Sequence, residues 1–418
     1  MLKWYKANYL FFIIILIGIV LRFVWAADME WKTDEKWMFE KAQEIIKSGE
    51  WLFVGMRSGG GIVNPGMSLW IFTLFSIFTN DPIVMVRVVM AVNVLAVLGL
   101  LFFIYKRVDS SQKEIWLWGI ALAAVSPLAV LFARKVWAQD VLPLFTFLVI
   151  LGNSYRHKRW GAFLWGIIGA LLGQFHMSGF FFAFGLFLFS LIYDYYNKGK
   201  FKWQYWIAGS IIGSISMIPW LRMMFESDQS TTLAFKHIFQ FNFFLYWLID
   251  SLGLNIMYSL RSEFWEFIKL PIVFGIPTYG IAIVHLFLVG IAGFILKRII
   301  DYIKRSFSLY KSSKLKSRLT LNLNTTDFYL LSILLGLGIC MSLSGLTIHP
   351  HYLIVAFPFS YIFIAKLVYK RKKLMLSIII AQLIITISFL VFIHINEGAP
   401  DGDYCKTYKS QIENTENN

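Results

Sequence analysis

Long apolar stretches recur along the whole sequence, and most approach the length that a helix needs to cross a membrane, about 20 residues. We identify eleven of them, at residues 9–26, 83–105, 115–132, 141–155, 160–175, 179–195, 204–220, 272–296, 328–346, 352–369 and 374–393. Hydrophobic residues make up 58% of the 418-residue chain and charged residues only 15%, which is too apolar for one water-soluble core. The sequence therefore predicts an all-α polytopic membrane protein. It excludes a soluble enzyme, a disulfide scaffold and a disordered chain.

The distribution of charge predicts the orientation. A further apolar segment, 65–79, has only about 15 residues, so we interpret it as an interfacial or re-entrant helix. With eleven spans, the loops of one side carry 23 of the 39 Lys and Arg but only five of the 24 Asp and Glu. The positive-inside rule then places the N-terminus in the cytoplasm and the C-terminus outside. The net charge of +15, which in a soluble protein would suggest nucleic-acid binding, is here a signal of orientation.

The first span has an alternative interpretation. Val24-Trp25-Ala26, followed by Ala27, resembles a signal-peptide cleavage site. Arg22 lies within the apolar stretch, which is unusual for a signal peptide and favours an uncleaved span.

We expect residues 1–393 to form one transmembrane domain with three larger outer segments. The first, 28–82, contains an amphipathic helix that should end near Gly49 and whose apolar positions are Met38, Ala42, Ile45 and Ile46. The second, 221–271, is rich in aromatic residues and is expected to lie on the membrane surface. The third is a short tail, 394–418. The loop 297–326 is basic and is predicted to be a cytoplasmic tether.

The acidic pair Asp34-Glu35 follows the first span closely. Such a pair at a membrane surface can accept a proton or bind a hard cation. Alternatively, Thr33 or Asp34 caps the following helix and Glu35 complements its dipole.

A second cluster holds Arg134, Lys135 and Asp140, at the outer ends of the third and fourth spans. An ionisable group there is costly and often functional, although the two cations could simply extend to the interface. Histidines form the remaining clusters, His176 and the turn His349-Pro350-His351-Tyr352. For each histidine alone a structural role is the commoner one. All four clusters, however, fall on the predicted outer side.

Two other features carry less information. The run Gly59-Gly60-Gly61 lacks the Lys and Ser/Thr of a phosphate-binding loop, so we interpret it as a flexible joint. Cys340 and Cys405 give no disulfide framework and no metal-site spacing.

This order of features resembles the GT-C superfamily of integral-membrane glycosyltransferases, and most closely its protein O-mannosyltransferase and aminoarabinose transferase branch. The resemblance rests on Arg22 at the end of the first span, Asp34-Glu35 in a large first outer loop, and the Arg134…Asp140 element. It is good over roughly residues 1–220 and depends elsewhere on the span pattern and the His-Pro-His-Tyr turn. The sequence departs from the family in its short tail and in a proline-rich loop reduced to Asn64-Pro65-Gly66.

The resemblance implies transfer of a sugar from a polyprenyl-phosphate donor to an envelope lipid, glycan or protein, on the outer face of the membrane. We expect a bacterial plasma membrane, because no retention signal or processing segment points to an endoplasmic reticulum. It implies Asp34 as the base, with Glu35 and Asp140 also catalytic. It further implies that donor phosphate is bound by cations, for which the candidates are Arg22, Arg134, Lys135 and His176. His349, His351 and Tyr352 are candidate substrate-binding residues.

Asp34 and Asp140 together are a candidate site for Mg²⁺ or Mn²⁺, although some members of the superfamily work without a metal. The alternative functions are a flippase or transporter, or a polymerase, of lipid-linked saccharides.

Overall fold

The computed structural model describes residues 8–57, 63–226, 238–312 and 323–416. The predicted joint at Gly59-Gly60-Gly61 and part of the 297–326 loop lie outside these ranges. The first half of the chain contains α1 (Tyr9–Phe23), α2 (Thr33–Ser48), β1 (Val54–Arg57), β2 (Val63–Pro65), α3 (Met67–Ser76), α4 (Pro82–Arg107), α5 (Lys113–Val125), α6 (Pro127–Leu131), α7 (Leu142–Ser154), α8 (Arg159–Phe175), α9 (Ser178–Tyr196), α10 (Trp203–Ser214) and α11 (Ile218–Glu226).

The second half contains α12 (Asn242–Ser251), α13 (Ile256–Leu260), α14 (Phe264–Phe267), β3 (Ile272–Val273), β4 (Ile276–Pro277), α15 (Gly280–Ser312), α16 (Thr325–Leu331), α17 (Gly338–Leu343), α18 (Phe359–Val368), α19 (Lys372–Ile395), β5 (Gly398–Ala399), β6 (Cys405–Lys406) and α20 (Tyr408–Glu416). Consecutive strands pair as three antiparallel hairpins. Short 3₁₀ segments lie at Ala26–Asp28, Ala138–Val141, Ile215–Met217, Arg261–Glu263 and Pro350–Ala356, and a π-helical segment at Ser332–Leu337.

The helices identify a polytopic membrane protein. Six among the described residues are long and apolar enough to cross a membrane, namely Pro82–Arg107, Ser178–Tyr196, Trp203–Glu226, Gly280–Arg305, Thr325–Leu343 and Lys372–Ile395. Two bent pairs, Asn242–Ser251 with Ile256–Phe267 and Pro350–Ala356 with Phe359–Val368, raise the number to eight if each is one span. The helices Tyr9–Phe23, Met67–Ser76 and Ala138–Ser154 are apolar but shorter. The fold class is therefore as predicted, whereas the count of eleven spans stays a prediction.

Two of the predicted spans differ in the structure. The stretch 115–132 is broken between α5 and α6, where Pro127 cannot donate a helical hydrogen bond. The predicted start at residue 272 is wrong, because the β3–β4 hairpin occupies residues 272–277 and the helix begins at Gly280.

The outer helix of the first segment is confirmed. Helix α2 ends at Ser48 and is followed by Gly49 in the left-handed conformation, with a φ of 74°, which glycine adopts without strain. Met38, Ala42 and Ile45 are buried, but Ile46 is 42% exposed, so it is not part of the apolar face.

The segment 221–271 does not simply lie on the membrane surface as predicted. Phe243 and Trp247 on α12 are buried within the helical bundle, and α12 contacts α18. Phe239, Phe241 and Trp265 are each 67% exposed. This segment therefore contributes to the core as well as to the surface.

The tail folds back onto the first outer segment. Thr407 forms a β-bridge with Glu30, and the Tyr404 hydroxyl donates a hydrogen bond to the Asp28 carbonyl. His394 Nδ1 lies 2.7 Å from Asp28 Oδ2. The end of the first helix and the end of α19 therefore lie at the same end of the bundle.

Candidate functional site

A cavity of about 260 Å³ opens at the end of the bundle where the tail meets the first outer segment. It is lined by Lys32, Asp34, Met38, Met56, Arg57, Asn64, Ser68, Trp137, Ala138, Gln139, His176, Tyr258, His349, His351, Tyr352 and Asp403. Asp34, His176 and the His349–Tyr352 turn, which are far apart in sequence, therefore share one cavity. The sequence-predicted residues Arg22, Glu35, Arg134, Lys135 and Asp140 do not line it.

Asp34 presents a carboxylate to this cavity from the first turn of α2. Its side chain is partly buried and makes no hydrogen bond to another part of the described chain. Burial raises the pKa of Asp34; Lys32 and Lys135 oppose this, whereas Glu30 adds to it. A carboxylate with a raised pKa and no internal partner is suited to accept a proton from a bound substrate.

The helix is capped by Glu35 instead of Asp34. The backbone N–H of Lys32 donates to Glu35 Oε2 at 3.3 Å, so capping by Thr33 or Asp34 is not the explanation of the acidic pair. The remaining oxygen of Glu35, Oε1, is buried without a hydrogen-bond partner in the described structure. Burial, reinforced by the nearby carboxylate of Glu30, raises the pKa of Glu35 to about 8.

Beneath the cavity lies a buried network of charges. Glu30 pairs with both Lys32 and Lys135. The Lys135 ammonium also lies 5.1 Å from the ring centre of Phe132 and 5.4 Å from that of Trp137. Glu30 is one carboxylate between two ammonium groups, so it offsets only part of their charge. Lys135 does not line the cavity, and its binding of donor phosphate stays a prediction.

Asp140 lies behind the cavity in the 3₁₀ segment before α7. It is fully buried, and neither carboxylate oxygen has a hydrogen-bond partner in the described part of the chain. Its backbone groups are both engaged: the carbonyl accepts a hydrogen bond from Asn93 Nδ2 at 2.7 Å, and the N–H donates to the Trp137 carbonyl at 3.0 Å. The nearby charges that act on it are those of Lys135, Glu35 and Glu30, and direct contact of Asp140 with a substrate would require rearrangement.

The proposed metal pairing gains no support from the geometry. Asp34 lines the cavity, whereas Asp140 does not. Over the described ranges, no three His, Cys, Asp or Glu side chains are arranged to hold a metal ion. We therefore assign no step to a metal.

Arg22 and Arg134 bind backbone carbonyls. Arg22 Nη1 donates to the carbonyls of Gly18 at 2.7 Å and Ala124 at 2.6 Å. The carbonyl of Ala124 lies where Pro127 ends α5, so the guanidinium satisfies an acceptor near a broken helix. Arg134 likewise donates to Leu21 at 3.0 Å and Trp25 at 2.8 Å, at the end of α1. Both side chains hold helix ends together, and donor-phosphate binding by either one stays a prediction.

The histidines form an aromatic wall. The rings of His349 and His351 are parallel with centres 5.5 Å apart, and Trp137 meets His351 at 4.8 Å. The ring of Tyr352 lies 4.9 Å from that of His176. Such a wall suits the apolar face of a sugar ring better than it suits a metal.

His176 does not act as a cation here. Burial lowers its pKa to about 3, so the ring is neutral near pH 7. Its Nδ1 lies 2.8 Å from the Ser178 hydroxyl. The ring lines the cavity, and donor-phosphate binding by a neutral His176 stays a prediction.

The structure adds cavity residues that the sequence analysis did not select, notably Lys32, Arg57 and Asp403. Lys32 Nζ donates to the Asp403 carbonyl at 2.7 Å and lies 3.3 Å from Asp403 Oδ2. Burial opposes the charge of Lys32, but the carboxylates led by Glu30 outweigh it and raise the pKa. Arg57 is exposed and pairs with no acid among the described residues. Lys32 and Arg57 lie near sequence features noted above, whereas no local signal indicated Asp403.

The cavity thus combines two carboxylates, two cations and an aromatic wall. Comparisons with protein families, with curated proteins and with solved structures find no match to the chain. The chemistry of the cavity is therefore the main basis for assigning a function.

Proposed function

We propose that the protein is a membrane glycosyltransferase that moves a sugar from a polyprenyl-phosphate donor to an envelope acceptor. The observation that carries the proposal is the placement of Asp34 in one cavity with Lys32, Arg57 and a wall of histidine and aromatic rings. A base, cations for a phosphate leaving group and a surface for a sugar are what this reaction requires. The resemblance to the GT-C superfamily supports the same reaction.

In the proposed reaction the acceptor hydroxyl or amine attacks the anomeric carbon of the donor sugar. The bond from that carbon to the phosphate oxygen breaks, and its electron pair leaves with the polyprenyl phosphate. The proton of the acceptor passes to Asp34. Arg57 and Lys32 stabilise the charge that develops on the phosphate, while His349, His351 and Tyr352 hold the sugar.

Glu35 and Asp140 act indirectly in this proposal. Both are buried and interact electrostatically with Glu30 and Lys135, and Glu30 and Lys135 in turn act on Asp34. They are positioning residues, and Asp34 is the catalytic one.

The position of the cavity favours surface chemistry over transport. Transporters bind substrate near the bilayer midplane, between broken helices of internal repeats. Here His176 follows the end of α8, and Asp34 lies in an outer helix. The loop charges favour the outer side of the membrane for this reaction, and we propose that the membrane is a bacterial plasma membrane.

Replacing Asp34 by Asn tests the proposal. The substrate is the lipid-linked monosaccharide that co-purifies with the protein, identified by mass spectrometry, and the readout is release of polyprenyl phosphate in proteoliposomes. Loss of a general base costs about 10²–10⁴-fold in rate, so Asp34→Asn should lose turnover to that extent while remaining folded.

The control is Glu40→Gln, which removes a charge from the exposed side of the same helix, where Glu40 is 60% exposed. It should keep wild-type turnover. Equal rates for wild type and Asp34→Asn would refute the role of Asp34, and absence of any lipid-linked sugar from the wild-type protein would refute the donor class.

A further inference from the structure

A second cavity, of about 560 Å³, lies at the opposite end of the bundle. It is lined by Gln112, Ile115, Arg298, Asn324, Asp327, Lys366, Leu367, Val368, Tyr369, Lys370 and Arg371. Helices α8 and α9 show that the two cavities lie at opposite ends of the bundle. His176, which lines the first cavity, lies between these helices at one end. The buried Arg156–Asp194 pair joins the other end of the same helices, with Arg156 Nη2 2.7 Å from Asp194 Oδ1. Thr325 next to Asn324 shares a smaller cavity with Arg156.

The charge around this cavity is unbalanced. Lys366 pairs with Asp327, which also accepts a hydrogen bond from Asn324 at 2.9 Å. Arg298, Lys370 and Arg371 have no acidic partner in the described ranges. Three cations therefore face one space without compensation, and a bound anion would relieve their mutual repulsion.

Two of these cations converge on one aromatic ring. The guanidinium carbon of Arg298 lies 5.8 Å from the centre of the Phe294 ring, and that of Arg371 lies 5.0 Å from it. Arg298 is on α15, whereas Arg371 is in the turn between α18 and α19. Both guanidinium groups therefore lie within about 6 Å of one ring centre, and a guanidinium can bind phosphate oxygens in a bidentate manner.

The surface next to the cavity is apolar. On the face of α15 that carries Arg298, Phe287 is 38% exposed and Tyr302 is 72% exposed, three turns before and one turn after the arginine. A ligand whose charged head occupies the cavity could therefore lay an apolar chain along α15. A soluble anion would gain nothing from that surface.

We propose that this second cavity binds the phosphate headgroup of an anionic phospholipid, with Arg298 and Arg371 as its main ligands and Lys366 and Lys370 beside them. The loop charges place this end of the bundle in the cytoplasmic leaflet, where basic pockets between helices meet anionic lipid. The inference is independent of glycosyl transfer.

The test is lipid retention by the full-length protein, measured by native mass spectrometry with phosphatidylglycerol and phosphatidylethanolamine supplied in equal amounts. The wild type should retain phosphatidylglycerol in preference. The variant Arg298→Gln with Arg371→Gln should weaken that retention by roughly fivefold for each cation, or about 25-fold for the pair. Both side chains are exposed. The single variant Lys370→Gln should lose less of the phosphatidylglycerol retention than the double variant.

The matched control is Arg159→Gln with Arg305→Gln, which removes the same charge from exposed positions outside the cavity. It should retain phosphatidylglycerol as the wild type does. An equal loss in control and cavity variants would mean diffuse charge attraction and would overturn the site, as would no loss in the cavity variant. Competition by soluble glycerol 1-phosphate as strong as that by the lipid would overturn the lipid as occupant.

Discussion

Asp34 and Glu35 are neighbours in the chain, but they occupy different surroundings. Asp34 faces the cavity, whereas Glu35 is 1% exposed and closes the first turn of α2. A sequence shows that two carboxylates are adjacent, yet their protonation depends on burial and on neighbours such as Glu30 that fold against them. The division of roles between the two acids could therefore not be predicted from the sequence.

The buried Glu35 should make stability depend on pH. Its pKa is about 8 in the folded protein and about 4.3 in an unfolded chain, so between these values the folded state binds the extra proton. The free energy of unfolding should therefore fall as the pH rises from about 5 to about 8. Glu35→Gln, which is neutral at every pH, should flatten that dependence, measured as the apparent melting temperature in detergent at each pH.

Glu40→Gln is again the control, because its exposed carboxylate should leave the pH dependence of the wild type unchanged. A wild-type melting temperature that rose between pH 5 and pH 8 would contradict the assignment of a raised pKa to Glu35. So would an equally steep profile in the Glu35→Gln variant.

The elements were predicted better than the contacts between them. The 3.6-residue spacing of apolar positions indicated α2, and the apolar stretches indicated the long helices α4, α9 and α19. The break at Pro127 and the burial of Trp247 were not foreseen. The break follows from Pro127 itself, which hydropathy does not record, whereas the burial of Trp247 depends on packing between distant segments.

The tail is an element whose role only the fold reveals. Its sequence has no apolar periodicity, yet Asp403 lines the cavity and binds Lys32. Asp403 Oδ1 also lies 3.2 Å from Arg261 Nη2. The loops that the sequence analysis selected meet at the cavity. The tail, which also lines it, was not selected because it lies far from α1 in the sequence.

Tyr404→Phe should loosen the tail. The hydroxyl of Tyr404 is buried and donates to the carbonyl of Asp28, so its removal leaves a buried acceptor unsatisfied, at a cost of about 1–3 kcal/mol. We expect a lower apparent melting temperature and faster proteolysis of the tail.

Tyr408→Phe is the matched control within the same tail. Tyr408 packs its ring against Trp31 with centres 5.0 Å apart, and its hydroxyl has no partner among the described residues. It should therefore behave as the wild type does. Equal effects of the two substitutions would contradict the role of the Tyr404 hydrogen bond in fastening the tail.

At the scale of the whole molecule, positive charge collects at the end away from the candidate site. Loops distant in sequence meet there: Arg107 Nη2 donates to the Ser154 carbonyl at 2.6 Å, and the Lys202 N–H donates to the Arg156 carbonyl at 3.0 Å. The fold thus gathers the basic loops into one layer. It places α2 and the tail at the other end.

This separation makes orientation the most direct test of the whole arrangement. In a background with Cys340→Ala and Cys405→Ala, we introduce Glu44→Cys on α2 or Lys200→Cys at the basic end; Glu44 is 60% exposed and Lys200 is also exposed. Because basic loops stay in the cytoplasm, a membrane-impermeant maleimide should label Glu44→Cys in intact cells and Lys200→Cys only after permeabilisation. Labelling of Lys200→Cys alone in intact cells would reverse the orientation and move the candidate cavity to the cytoplasm. Labelling of both would contradict the placement of the two residues on opposite sides of the membrane.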